Sequence, residues 1–209
     1  VALLNYCGAA ILMPYKLFHK ECKELKYDLE LLQNTFATSF EQVAHRVTCL
    51  QDPNLPGIPF HFLRVDVAGN ISKRFSLSGI EIPRYGGACP RWNVYSAFSR
   101  PGVIQAAVSN MTNGEKYVCI AKTVEKGVGR YGQKKSMLSI GLGCEAKYAK
   151  EFVYTENLDL NDKKSELPIG VSCRTCDRLD CSQRAFPPLH KKFDVDINSR
   201  GVSVYVSDK

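Results

Sequence analysis

Residues 51–59 read QDPNLPGIP, with three prolines and a glycine in nine positions. Proline lacks the backbone N–H that helix interiors and central strands use, so neither element can run through this stretch. The hydrophobic period also changes across it. Before residue 51 the apolar residues recur at helical spacing, and after residue 60 they alternate as in strands. A chain built this way predicts an α+β fold: a helical segment over 1–52, then a largely antiparallel sheet with flanking helices over about 54–205. A sensor sheet of the GAF or PAS kind suits that order.

The helical part divides at its own punctuation. Residues 3–13 are almost all apolar and suit a buried helix that ends at Pro14. A second helix starts near Pro14 and carries Leu17, Phe18, Cys22 and Leu25. A third follows Asp28, with Leu29, Leu32 and Phe36. The fourth opens with Thr38-Ser-Phe-Glu41, a capping-box pattern in which Thr38 and Glu41 exchange hydrogen bonds with each other's backbone. Phe40, Val43, Ala44, Val47 and Leu50 then form its apolar stripe. His45 and Arg46 fall off that stripe and read as a solvated face.

Beyond the linker, strands are predicted over 58–66 and 70–76, joined by a turn at 68–70. Another pair, over 103–109 and 115–125, is joined by Asn113-Gly114, a strong hairpin signal. Residues 135–143 read as one more strand. Residues 90–97 and 145–150 read as short helices and 155–166 as a polar surface loop. FDVDI and VSVYV near the end read as a terminal hairpin.

The net charge is +7, from 28 basic and 21 acidic residues, which favours anionic partners weakly. The lysine pairs at 134–135, 163–164 and 191–192 are scattered, unlike the dense basic surface of a dedicated DNA-binding domain. The thirteen-residue apolar start is too short to span a bilayer. It begins at Val1 without a basic leader, which reads as a piece of a longer protein. There are nine cysteines, an odd number without a repeating framework, which points to a reducing compartment rather than a disulfide scaffold.

The sequence contains no H-E-x-x-H, no G-x-S-x-G and no phosphate-binding Walker loop. GVGRYG at 127–132 matches G-x-G-x-x-G, but a strand follows where a dinucleotide site needs a helix. It reads as a hairpin loop whose Arg130, Lys134 and Lys135 could meet a phosphate. The four histidines, His19, His45, His61 and His190, have no ligand spacing among themselves. No enzyme is predicted.

Two stretches carry chemistry. In YGGACPRWNVY, residues 85–95, the Gly86-Gly87 pair permits close backbone approach, and Arg91, Trp92 and Tyr95 follow. These residues suit a pocket for an acyl or nucleotide group. They equally suit a buried aromatic anchor, Trp92, under a tight turn. In CRTCDRLDC, residues 173–181, Cys173 and Cys176 can turn two thiolates toward one ion, with Cys181 as a third ligand. Zinc needs a fourth ligand: Cys89, Cys144, Cys119 or His190. Three cysteines also suit an iron–sulfur cluster. A thiol switch or plain packing stays open beside both.

Several long blocks run in order: NYCGAAILMPYKLF, FATSFEQVAHRVTCLQ, GNISKRFS, GGACPRWNVYSAF, SIGLGC and IGVSCRTCDRLDCSQRAFPPL. Together they resemble the short-chain fatty acyl-CoA regulator family of bacterial transcription factors, over about residues 3–189. The resemblance implies a helix-turn-helix of the Xre type before Val1, through which the whole protein would reach DNA. It implies that 1–52 is the end of a segment related to ImmA/IrrE-type metallopeptidases, whose zinc helix would also precede Val1, which leaves a peptidase-derived enzyme fragment as an alternative reading. It implies that 54–205 senses a short-chain acyl-CoA or a related metabolite. A cytoplasmic homodimer without membrane contact is the matching expectation. The motif positions carried over are Gly86, Gly87, Cys89, Pro90, Trp92, Cys144, Cys173, Cys176 and Cys181. The resemblance supplies no list of ligand contacts; read from the residues themselves, the candidates are Gly86, Gly87, Arg91, Trp92, Tyr95 and Arg130. The candidate metal set is Cys173, Cys176, Cys181 and Cys89, for zinc or, alternatively, an iron–sulfur cluster.

Overall fold

A computed structural model describes residues 2–84, 87–127, 131–132, 135–160 and 162–189. Four helices come first: α1 (Ala2–Leu12), α2 (Tyr15–Glu24), α3 (Leu29–Thr35) and α4 (Phe40–Val47). The hairpin β1 (His61–Asp66) and β2 (Ile71–Ser76) follows the proline linker. Then come the short helix α5 (Asn93–Ser96) and the strands β3 (Gln105–Asn110), β4 (Lys116–Lys126), β5 (Ser136–Glu145) and β6 (Leu167–Pro168). Among the described residues, six strands make one sheet in the order β2-β1-β5-β4-β3-β6. Every pairing is antiparallel except the short β3–β6 contact. The α+β class expected from the sequence is what the chain adopts.

Local chemistry sets the helix ends. Asp28 caps α3 by accepting from the backbone of Glu30 and Leu31. The capping box of α4 is formed by Ser39 and Gln42, one residue later than Thr38 and Glu41. That shift frees Glu41 to point into the interior, where it meets cations. Asn113-Gly114 makes the expected hairpin, with Gly114 at φ 85°.

Strand alternation builds two cores, one on each face of the sheet. Phe60, Phe62, Val118, Ile120, Ile140, Leu142 and Cys144 face the helices and pack against Phe18, Leu29, Leu32, Phe40, Val43 and Val47. The helical segment and the sheet thus share one core across the linker. The buried backbone N–H of Ile58 donates to the Tyr27 hydroxyl at 3.2 Å, and Val153 donates to the Lys26 carbonyl at 3.0 Å. On the other face, Leu63, Val65, Cys119 and Ala121 pack beneath Trp92, Val94 and Ile169. Burial on both faces explains why β4 reads as a continuous apolar run.

Two glycines of β5 let this second layer sit close. A Cβ on Gly141 would lie 2.3 Å from Val94 Cγ1 of α5. One on Gly143 would lie 2.6 Å from His61 Nε2 and 2.8 Å from Cys119 Sγ. No methyl group fits at either position unless its neighbours move.

Two helix expectations change. Arg46 is 2% exposed rather than solvated. Its Nε donates to the Met13 carbonyl at 3.1 Å, and its guanidinium lies about 6 Å from the rings of Tyr6 and Tyr15. α1 and α2 cover the flank of α4 that periodicity left to solvent. α1 itself is not a buried helix. It packs through Ala9, while Leu3 and Ile11 are 79% and 78% exposed. The terminal hairpin expected from FDVDI and VSVYV lies outside the described residues.

Candidate functional site

The second layer over the sheet is built from two segments that hold each other. In the first, residues 87–97, the Cys89 N–H donates to the Val171 carbonyl at 3.0 Å. The Trp92 indole N–H donates to the Gly170 carbonyl at 2.8 Å, and Asn93 Nδ2 donates to the Cys119 carbonyl at 3.0 Å. Trp92 is only 5% exposed. Of the two readings of this stretch, the buried anchor describes the indole. Arg91 and Tyr95 are half-buried and Gly87 is exposed, so these line the outer side of the same turn. Tyr95 comes within reach of the β1–β2 turn, 3.6 Å from where a Cβ on Gly69 would stand. Gly86 and Arg130 lie outside the described residues.

The second segment, 169–189, has almost no regular structure, so its carbonyls need donors from elsewhere. Ile169 continues the β3–β6 contact by donating to the Asn110 carbonyl at 2.9 Å. Arg178 donates to the carbonyls of Asn110 and Met111 at 3.1 and 3.3 Å, which ties the loop to the end of β3. Arg184, 4% exposed, is the hub. Its guanidinium donates to the carbonyls of Cys173 at 2.8 Å, Cys176 at 3.0 Å and Phe186 at 3.3 Å, and also to that of Arg178. The fixed fork of an arginine can serve several acceptors at once, which an ammonium on a flexible stem does poorly. Arg184 is assigned no role by the sequence alone. The available signal was a basic residue inside a cysteine loop with no strand or helix to satisfy its backbone.

The cysteines separate into groups. Cys89, Cys173 and Cys176 are buried on this layer. Burial pushes the Cys89 thiol above its ordinary range, and the nearby Cys173 and Cys176 add to the rise. Cys176 packs against Gly170, where a Cβ would come within 3.1 Å of its sulfur. The Ala185 N–H points at Cys173 Sγ, 3.4 Å away. Cys181 is half-buried. Cys144 belongs to the helix-facing core and is therefore on the wrong side of the sheet to join them. His190 is outside the described residues. Among the described residues, no three metal-capable side chains gather at one point, and all nine cysteines are free thiols.

Cys119 has a different partner. Its sulfur lies 3.6 Å from His61 Nε2, and His61 Nδ1 lies 2.8 Å from Ser78 Oγ. Both line a cavity of about 10 Å³ beneath Trp92, room for roughly one water. Burial lowers the imidazole pKa to about 3 and pushes the thiol up to about 12. Both groups are neutral near pH 7, which is the opposite of an activated thiolate–imidazolium pair. This cluster was also missed, because its three members come from separate parts of the chain. No helix of the described residues is long and apolar enough to cross a membrane.

Comparison with known proteins places this architecture. Residues 3–48 match the family described as IrrE N-terminal-like domain. The HTH-type transcriptional regulator RamB of Mycobacterium tuberculosis is 44% identical over 208 residues, which is 99% of this chain and 44% of that protein. The propionyl-CoA carboxylase regulator of Cereibacter sphaeroides is 44% identical over 205 residues, again 44% of its length. The chain thus spans less than half of these curated relatives. A solved structure of a Mycobacterium tuberculosis transcriptional regulator superposes with a TM-score of 0.92 at 41% identity, covering 99% of this chain and 62% of that one. Residues 49–205, which include the sheet and both loops of the second layer, match the family described as short-chain fatty acyl coenzyme A regulator, C-terminal, and the chain belongs to that family.

Proposed function

We propose that this chain is the effector-sensing portion of a cytoplasmic bacterial transcriptional regulator of short-chain acyl metabolism. The observation that carries the reading is the family match over 49–205, which covers the whole sheet and the layer of residues 87–97 and 169–189. The printed names of the relatives, a helix-turn-helix regulator and a propionyl-CoA carboxylase regulator, support the same class. DNA is then reached through an Xre-type domain elsewhere in the full protein, and the sensing portion forms a homodimer.

The ligand is a short-chain acyl-CoA or a similar anionic metabolite, held by the outer side of the 86–95 turn. Arg91 and Arg130 meet its phosphates, Gly86 and Gly87 allow its close approach to the backbone, and the acyl group lies along Tyr95 on the turn that the buried Trp92 anchors from below. The ligand must bind one conformation of this layer more tightly than another to bias an attached domain. Calorimetry with acetyl-, propionyl- and butyryl-CoA tests the reading. Saturable heat and a raised melting temperature are expected with at least one. Neither signal with any of the three removes the proposal.

A second reading concerns the cysteines. Cys89, Cys173, Cys176 and Cys181 supply soft donors that suit zinc or an iron–sulfur cluster. Three of them are buried on one layer, and Arg184 holds two of their carbonyls in place. A bound metal would lock the 169–189 loop in a single arrangement. Elemental analysis of the purified protein decides this. About one zinc, or iron with matching sulfide, per chain supports it, and no metal refutes it.

A further inference from the structure

On the helix-facing side of the sheet, opposite Trp92, lies a cleft of about 400 Å³ between helices α1 and α4 and strands β1, β2 and β4. This is within the size range of small-molecule sites. Arg64, Lys73, Lys126 and His45 line it, together with Glu41 and Ser39. Strand alternation explains the convergence. Arg64 pairs with Lys73 across β1–β2, and both side chains point to the face that carries Phe62. The amino-terminal end of α4, with its partial positive charge, opens into the same space.

Among the described residues, Glu41 is the only carboxylate lining the cleft. Arg64 holds one of its oxygens at 2.8 Å and Lys126 the other at 2.7 Å. Burial alone would raise this carboxyl, but Lys126 and Arg64 together hold it below its usual range. Lys73 has no carboxylate at ion-pair distance among the described residues and rests over the Phe62 ring at 5.3 Å. Burial lowers the Lys73 ammonium, with Glu41 opposing the shift and Arg64 and Lys126 adding to it, and burial with Lys73 nearby lowers His45 against the pull of Glu41. Three fixed cations against one carboxylate leave an excess of two positive charges (3 − 1 = 2). That excess matches a phosphate dianion better than a single carboxylate.

We propose that this cleft is a second anion site, taking a phosphate group and tying the helical segment to the sheet. Glu41 then competes with the ligand for Arg64 and Lys126, and Lys73 is the cation available to the ligand alone. The site is distinct from the effector contacts proposed above, which lie on the opposite face.

The test is titration of the purified protein with inorganic pyrophosphate and with propionyl-CoA. Pyrophosphate is expected to bind saturably. Lys73→Gln should weaken it about tenfold, the usual size of one lost charge-assisted hydrogen bond. Glu41→Gln should tighten it by removing the competitor. A purely structural ion-pair network predicts no such gain. Among the described residues Lys73 makes no ion pair, so its variant reports on binding even if Glu41→Gln fails to fold. No saturable pyrophosphate binding, or binding indifferent to Lys73→Gln, overturns the proposal. Displacement of pyrophosphate by propionyl-CoA, with both weakened by Lys73→Gln, overturns the separateness of the two sites and places the CoA phosphates in this cleft.

Discussion

Arg184→Ala is expected to release the 169–189 loop from the sheet while the helix-facing core stays folded. The variant strips a charged donor from the carbonyls of Cys173, Cys176, Arg178 and Phe186. A buried acceptor left unpaired costs about 1–3 kcal/mol, and water entering the loosened loop offsets part of the sum. A local loss of about 3 kcal/mol is a reasonable expectation, which corresponds to roughly 100-fold more frequent opening. The readout is the labelling rate of Cys173 and Cys176 by a thiol reagent, since both are buried in the intact loop. Arg184→Lys keeps the charge but cannot fork across several carbonyls, so it should recover only a small part of the protection. Unchanged labelling in Arg184→Ala would mean that Arg178 and the Trp92–Gly170 contact hold the loop without it. If the loop carries a metal, the same variant should also lower the metal content.

Stability is expected to fall as pH drops from about 6.5, through burial of His61. Its folded-state pKa is depressed to about 3 by burial, while the unfolded chain protonates near 6.5. Between those values the unfolded state binds a proton that the folded state excludes. The stabilising contribution is therefore complete above about pH 6.5 and is lost on acidification at about 1.4 kcal/mol per pH unit. From pH 6.5 to 4.5 this amounts to roughly 2–3 kcal/mol. His45 is shifted in the same direction, chiefly by burial, and adds to the slope. The lowered carboxyls of Glu41 and Glu166 lose their contribution only at lower pH. His61→Gln separates the histidines: its own packing cost moves the curve vertically, but the slope above pH 4.5 should become shallower by close to one proton. Urea unfolding at a series of pH values reads that slope directly. An unchanged slope would show that His61 is hydrated or protonated in the folded protein.

Periodicity and turn chemistry made much of this fold legible. The proline linker, the Asp28 cap, the Asn113-Gly114 hairpin and the strand pairs all follow from local rules. What periodicity reports is the burial of one face, and it says nothing about a second covering layer. Arg46 was misread for that reason, since α1 and α2 close over a face that looks polar in the sequence. Gly141 and Gly143 were read only as strand residues, although close packing under Val94 and beside His61 is what they permit.

The site was legible in part. The two stretches containing Trp92 and Cys173–Cys181 do meet, through the Cys89–Val171 and Trp92–Gly170 hydrogen bonds. Cys144 could not be excluded without knowing the parity of its strand. Arg184 carries a role that spacing cannot reveal, because its acceptors are backbone atoms. The cleft around Glu41 joins residues 41, 64, 73 and 126, which no local motif connects.

Hydrogen–deuterium exchange with and without propionyl-CoA tests the central claim most directly. Residues 87–97 and 169–189 form one layer over the sheet, so an effector seated on its outer side should slow exchange in both segments together. Concerted protection there, saturating with the calorimetric binding curve, is the expected result. Saturable binding that leaves both segments unprotected, or no binding at all, would contradict the assignment of this layer as the effector site.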